Sequence, residues 1–375
     1  MTHPTPHPKH LVLLGAGPAH LQVLSNFARQ AVPGVQVTLV DPSSRQLHST
    51  MLPGFVAGHH DLSDCTIALE PLLKNTDIHW RARQATGLDV NARTLTLDDG
   101  STHSFDYLSI NLEAVQNRHQ IEQAMPGARE YGLFARPVAV FGALWPRVTE
   151  LAQTRPLRVA VIGGEAASIE LAMAIRFRLP TCAVTLITGG LPLASHDAPP
   201  LQQRLMKALK RRNITVLADL AVGIQQEQVM LASGARLACD LPVIATAAQA
   251  PDWLRDSGLA LDEHSFIAVD ACQRSSSHAH VFAIGEVSAR LDQPLAHDSA
   301  YAAGAASLLA SNLAAVVAGL APQPDTPLKN SVHFLSGGDR QDDIASWGRF
   351  SAQGRWAGWL KDWVDRAFIK RYRRA

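Results

Sequence analysis

The sequence predicts an α/β fold built from two similar units, each a parallel sheet with a β-meander insertion, followed by a C-terminal helical tail. Three observations carry this. Apolar strands run directly into glycine turns at "HLVLLGAG" and "LRVAVIGG". Each turn is followed by a helical periodicity and then by another apolar strand. Finally, the two stretches share one plan, the same signals recurring in the same order.

In chain order, the first unit reads as strand "HLVLLGAG", a helix from about residue 20 to 30, strand "VQVTLVD", and an alternating hairpin "RTLTLDDGSTHSFDYLSIN". The second reads as strand "LRVAVIGG", a helix over about 166–178, strand "AVTLIT", and "EQVMLASGARLACDLPVIATA". The alignment pairs Gly15 with Gly163, Asp99-Gly100 with Ser233-Gly234, and Asp106 with Asp240. A strand, glycine turn and helix opening a parallel sheet is the Rossmann-like plan, so two stacked dinucleotide-binding domains are expected. The first is completed by chain returning after the second, through "SSSHAHVFAIGEVSA" and an alanine-rich helix. The expected divisions are 1–112 and 241–322 for the first domain, 113–240 for the second, and 323–375 for the C-terminal segment.

With 375 residues, 47% of them hydrophobic, the chain can bury a large core, and a net charge of +1 gives no argument for nucleic acid. Cys65, Cys182, Cys239 and Cys272 lie far apart with no C-x-x-C pair, so a redox dithiol and a zinc site are both unexpected. The histidines show no ligand spacing, no metal is expected, and His59-His60 read as solvated loop residues. The first apolar run ends in glycines, not in a cleavage site, so no signal peptide is expected. Residues 302–322 carry no charge, but alanine and glycine dominate and Ser307, Ser311 and Asn312 interrupt them; a buried helix is expected there.

The first turn, Gly15-Ala16-Gly17-Pro18-Ala19-His20, has what a pyrophosphate needs. Glycine lets the backbone approach the phosphates, and a helix N-terminus offers unpaired N–H groups. Asp41 closes the next strand, where a carboxylate can hold a ribose. His20 stands where glycine or alanine is usual. Either it fills the helix–sheet seam or it faces a cofactor or substrate.

The run "GAGPAHLQVL", then "HSTMLPGFVAGHHDLSDCTIAL", and the closing "GDRQDDIASWGRFSAQGRWAGWLKDWVDRAFIKRY" resemble the two-domain flavoproteins related to type II NADH dehydrogenases, and especially the flavoprotein module fused to selenide, water dikinase. The resemblance covers nearly the whole chain. It implies FAD in the first domain, an NAD(P)H site in the second, and electron delivery to a quinone or another acceptor. By position, Gly15, Gly17 and Asp41 would hold the pyrophosphate and ribose, and Met51, Leu52 and Pro53 would lie near the isoalloxazine ring. Gly285 and Glu286 match a returning motif that normally ends in aspartate and contacts the ribityl and pyrophosphate region. The helix after "LAHDSAYAAG" would direct its positive end at the reduced ring. No acid, base or nucleophile can be assigned to catalysis.

The second turn departs from the family pattern. Gly163 is kept, but Glu165 and Ser168 replace the next two glycines. A carboxylate 4–5 Å from a phosphate charge costs about 3–4 kcal/mol at an effective dielectric near 20. The following strand ends in Thr188 instead of an acid, and Glu113 and Ala247 stand where alanine-threonine-glycine is usual. Nicotinamide binding is therefore expected to be weakened, rerouted or lost. In the tail, Trp356, Trp359, Leu360, Trp363 and Phe368 fall on one helical face opposite Lys361, Asp362, Arg366 and Lys370, and residues 355–375 hold seven basic against two acidic side chains. Such a helix suits an anionic bilayer, or packs on the body or a second copy in a homodimer. The leading reading is a cytoplasmic FAD-dependent oxidoreductase, peripheral on the inner face of a membrane. A flavin-binding redox sensor, or a flavin enzyme oxidising a small substrate without NAD(P)H, stands as the alternative.

Overall fold

The computed structural model describes residues 7–195, 198–293, 299–326 and 332–373. The first parallel sheet has the order Val281–Ala283, Tyr107–Ile110, Lys9–Leu14, Val35–Val40, Ile78–Arg81. The second has the order Leu133–Phe134, Leu241–Ile244, Arg158–Ile162, Ala183–Ile187, Thr215–Leu217. Leu11 to Leu14 are almost wholly buried, the unbroken apolar run of a strand covered on both faces. An antiparallel three-stranded meander accompanies each sheet, Ala85–Asp89 to Thr102–Ser104 in the first unit and Ala221–Gln225 to Arg236–Ala238 in the second.

The internal repeat recurs bond for bond. Gly15 N–H donates to Val40 O at 2.9 Å, and Gly163 N–H to Ile187 O at 2.8 Å. Both meander turns close at their glycines, Gly100 onto Leu97 O and Gly234 onto Leu231 O, each at 2.9 Å and with φ of +77° and +86°. The paired aspartates play the same part in each unit. Asp106 accepts the backbone N–H of His10 at 2.7 Å, and Asp240 that of Arg158 at 2.8 Å. Each carboxylate locks the start of its central strand to the end of the meander.

Val281–Ala283 adds to the first sheet beside Tyr107–Ile110, and helix Ser299–Val317 packs on helix Pro18–Arg29. Ala302, Ala306, Leu309 and Leu313 are buried, so the uncharged stretch is a core helix. No described helix is long and apolar enough to cross a membrane. The division expected at 240/241 falls ahead of Leu241–Ile244, yet that strand hydrogen-bonds to Arg158–Ile162 in the second sheet. The chain crosses back only after it.

Beyond residue 331 an antiparallel sheet, His333–Leu335, Ile344–Trp347 and Phe350–Gln353, leads into helix Arg355–Arg373. That helix lies across the first unit: Tyr372 Oη donates to Gln22 Oε1 at 2.9 Å, and Lys361 Nζ to Thr50 O at 2.6 Å.

Candidate functional site

Gly15 turns with φ +85°, which favours glycine, and a Cβ there would lie 2.5 Å from Asn111 O. A Cβ on Gly17 would strike the Asn111 carboxamide. Pro18 opens the helix, where its missing N–H costs nothing. His20 is fully buried, with Nδ1 2.5 Å from Gly15 O and Nε2 2.8 Å from Ser109 Oγ. The carbonyl can only accept, so Nδ1 carries the proton and the serine hydroxyl donates to Nε2. Burial lowers the imidazole to about 4, which keeps it neutral. His20 thus pins the helix to the sheet.

The glycine pattern leads one to expect N–H groups that await a phosphate. They do not. Ala16 N–H donates to Asp41 Oδ2 at 2.7 Å, and Gly17 N–H to Asn111 O at 3.3 Å. Ala19 and His20 donate to Asn111 Oδ1 at 3.0 and 3.3 Å, and Leu21 to Gly17 O at 3.1 Å. Every N–H from Gly15 to Leu21 therefore has a protein acceptor. Asp41 also accepts Ser43 N–H at 2.8 Å, and burial raises its pKa. A pyrophosphate entering this turn would find its N–H donors already engaged and would have to displace the Asn111 carboxamide from Ala19 and His20.

Gly285 has φ +82°, and a Cβ on it would lie 2.7 Å from Asn111 Nδ2. Glu286, expected toward the ribityl chain, is instead clasped by Arg136, Nη1 to Oε2 at 2.7 Å and Nη2 to Oε1 at 3.2 Å, and accepts Ala114 N–H at 3.0 Å. Arg136 also donates to Glu113 Oε1 at 3.0 Å. The longer acid reaches across to the second unit, and Glu113 joins the same cluster.

Met51 lies in the turn Ser49–Met51, and Leu52 and Pro53 open helix Leu52–Val56; Met51 and Pro53 are buried, Leu52 half-buried. The C-terminal helix holds this element down. Lys361 Nζ bridges Thr50 O and Asp365 Oδ2, while Asp365 Oδ1 accepts Thr50 Oγ1 at 2.7 Å and lies 3.3 Å from His48 Nε2. Burial alone would raise Asp365, but His48 and Lys361 hold it below the usual carboxylate range. Nor is His59-His60 a solvated pair. The His60 side chain is 6% exposed, with Nε2 3.1 Å from Asp362 and 2.9 Å from Arg340 Nη2, and His59 Nε2 reaches Gly338 O at 2.7 Å. Glu170, on helix Ala166–Arg178, accepts Ser336 N–H at 2.6 Å, and burial pushes it up to about 7. Asp343 accepts Gly337 N–H at 2.6 Å and is raised by burial as well. Between Met51, His60, Asp343 and Lys361 lies a cavity of about 20 Å³, room for about one water. Of this cluster the sequence offered one signal, the i,i+4 spacing of Lys361 and Asp365.

In the second turn Gly163 is half-buried, and a Cβ there would meet Ala245 O. Glu165 Oε1 accepts the Ser195 hydroxyl at 3.0 Å, and Ser168 Oγ donates to Glu165 O at 2.6 Å. Thr188 Oγ1 donates to Leu191 O at 3.0 Å, so it caps its own loop. Arg176 donates to Arg212 O and Pro180 O, and Arg178 lies against Gly58; neither belongs to this turn. Ala247 is exposed. The helix expected to face the ring begins at Ser299, and residues 294–298, which lead into it, lie outside the described residues. All four cysteines are free, and burial pushes Cys65 up to about 12, which removes it as a nucleophile. No metal-holding cluster occurs among the described residues.

The pyridine nucleotide-disulphide oxidoreductase family matches residues 9–306. An NADH dehydrogenase-like protein of Mycobacterium tuberculosis is 26% identical over 306 residues, 75% of this chain and 74% of that protein. Among solved structures, the sulfide:quinone oxidoreductase of Aquifex aeolicus superposes with a TM-score of 0.79 at 18% identity, covering 98% of this chain and 92% of that one. NDH2 of Plasmodium falciparum in complex with NADH gives 0.75 at 14% identity, covering 97% of each. The match spans both glycine turns and both sheets, and the chain belongs to the pyridine nucleotide-disulphide oxidoreductase family, a family of FAD-dependent NAD(P)H oxidoreductases.

Proposed function

We propose that this flavin oxidoreductase delivers electrons to a quinone or a similar apolar acceptor at a membrane surface, from a donor site at which NAD(P)H binds weakly. The observation that carries the reading is the exposed face of helix Arg355–Arg373. Trp359 and Trp363 are 70% and 59% exposed, with Trp356 and Val364 beside them and Phe350 on the adjoining hairpin. Arg355, Arg366, Lys370 and Arg371 of the same helix are also exposed, Arg366 pairing with Asp362 at 2.8 Å and Arg371 reaching Gln22 Oε1 at 3.4 Å. Tryptophan flanked by basic side chains matches the headgroup layer of an anionic bilayer. FAD supplies the two-electron chemistry of the family. The quinone acceptor is inferred from this surface and from the name of the Aquifex aeolicus neighbour.

The test uses the intact protein and Trp359→Ser/Trp363→Ser. Co-sedimentation with vesicles containing anionic lipid should occur for the parent and drop at least tenfold in the variant, with thermal stability unchanged. Equal partitioning, or none by the parent, refutes the surface. Reduction of a short-chain quinone by FAD-loaded protein, with NADH, NADPH and an artificial donor in parallel, tests the chemistry. Glu165, tied to Ser195 in the second turn, favours the reading in which the nicotinamide site is weak. Glu165→Gly/Ser168→Gly should then accelerate anaerobic bleaching of the bound flavin by NADH; an unchanged rate removes that account.

A further inference from the structure

The strand end that closes each glycine turn carries a different residue. Asn111 and Ala245 are structural counterparts: Asn111 N–H donates to Leu14 O and Ala245 N–H to Ile162 O, both at 2.9 Å. Their carbonyls lie against the first glycine of each turn, since a Cβ on Gly15 would meet Asn111 O and one on Gly163 would meet Ala245 O. Ala245 has no polar side chain. Asn111 does, and at 2% exposure it is fully engaged: Oδ1 accepts from Ala19 and His20, and Nδ2 donates to Ile284 O at 2.9 Å. Exposure differs at three of the aligned positions: Gly15, Ala16 and Ala19 are buried where Gly163 and Gly164 are half-buried and Ala167 is exposed, while Gly17 and Pro18 are half-buried like Glu165 and Ala166, and His20 is buried like Ser168.

Unpaired N–H groups at the start of a helix are the donors that an anion meets there. In the first unit a carboxamide oxygen from a distant strand meets them instead, as a local N-cap side chain would. The carboxamide is neutral, so it gains less from the helix dipole than a phosphate would. It requires no ligand, however, and its other end is anchored on the strand end that precedes Gly285 and Glu286. Glu286, clasped by Arg136, is likewise satisfied within the protein.

We propose that Asn111 is a built-in stand-in for the dinucleotide pyrophosphate: its side chain keeps the first turn closed and stable without a ligand, FAD enters by displacing it, and residue 111 sets the affinity of the seat. The proposal rests on the flavin reading above. Asn111→Ala gives the first turn the residue that the second already has.

Parent and Asn111→Ala protein, both stripped of FAD, are titrated with FAD by flavin fluorescence and melted with and without it. Removing a competitor that holds two N–H groups should lower the Kd about ten- to hundredfold. The FAD-free variant should melt below the FAD-free parent, because two buried donors lose their acceptor, and FAD should raise its melting temperature more than the parent's. Should Asn111→Ala fail to fold, Asn111→Ser replaces it with the same expectations. Amide exchange on the FAD-free parent adds a readout that needs no variant: Ala19 and His20 should be protected, and rapid exchange there overturns the proposal. A variant that binds FAD no more tightly than the parent overturns it while leaving the flavin reading intact. Failure of parent and variant alike to bind FAD overturns both. The vesicle and quinone assays bear on the functional reading alone.

Discussion

Glu170→Gln isolates one half-buried carboxyl and gives a stability effect whose sign depends on pH. Glu170 faces Ser336 N–H at 2.6 Å; burial raises it from 4.5 to about 7, Lys361 and the Ser336 bond pull it down, and Asp343 and Asp365 push it up. Between about pH 4.5 and 7 the folded chain keeps a proton that the unfolded chain has released. Stability therefore falls as pH rises through that window, by up to about 3 kcal/mol for a shift of this size. Glutamine keeps the acceptor for Ser336 and carries no charge at any pH. Thermal melts followed by circular dichroism at pH 5.5 and 8.5 should show the parent losing stability on the alkaline side and the variant losing much less. At pH 8.5 the variant should be the more stable by about 1–3 kcal/mol. Asp365, held low, acts with the opposite sign, but only as pH falls below the usual carboxylate range, so it does not contaminate this window. Asp343, raised by burial, leaves a residual slope at the acid end in both proteins. A variant less stable than the parent at pH 8.5, or an unaltered slope, would refute the assignment.

Lys361→Met removes the cation that joins Thr50 O to Asp365 and leaves that carboxylate only the Thr50 hydroxyl and His48, so a loss of about 2–3 kcal/mol is expected in urea unfolding. Arg136→Met leaves Glu286 and Glu113 side by side; because the cluster is partly open to solvent, about 1–3 kcal/mol should be lost, and adding Glu286→Gln should recover part of it in a double-mutant cycle. In the native protein at neutral pH, a thiol reagent should modify Cys272 first, since Cys65, Cys182 and Cys239 are buried; fast modification of more than one thiol would contradict the packing.

The fold was legible because its signals are local. An apolar strand, a glycine turn and a helix start lie within twenty residues, and the same signals occur twice, so the Asp106–Asp240 alignment located the equivalent locks before any geometry was known. What escaped was long-range. Nothing near Gly17 announces that Asn111, almost a hundred residues away, supplies the acceptor for its helix. Glu286 reads as a cofactor contact until Arg136 is placed beside it from the other unit. His60 sits in a loop rich in polar residues, and only the docking of the C-terminal segment buries it. Periodicity also put Phe368 on one face of the last helix with the tryptophans and Lys361 opposite; in the structure Trp356, Trp359 and Trp363 are exposed, while Phe368 stacks on His48 and Lys361 bonds inward to Thr50 O.

That last helix argues most directly for a surface the protein does not cover by itself. Ala357, Gly358, Ile369 and Tyr372 face inward together with the bonded Lys361–Asp365 pair, while Trp356, Trp359 and Trp363 face out. Fully burying an aromatic side chain is worth about 2–3 kcal/mol, so folding alone would favour the opposite arrangement. A second copy could cover the tryptophans. In a two-fold contact, however, the same patch meets itself, and Arg355, Arg366, Lys370 and Arg371 would then face their like on the other copy. An anionic lipid surface turns that repulsion into attraction, at about 1 kcal/mol for each basic side chain near the surface. Raising the salt should then weaken binding to anionic vesicles, because screening removes the basic contribution while leaving the aromatic one. A self-associating patch would respond in the reverse sense, dimerising more as its like charges are screened, and sedimentation at low and high salt distinguishes the two.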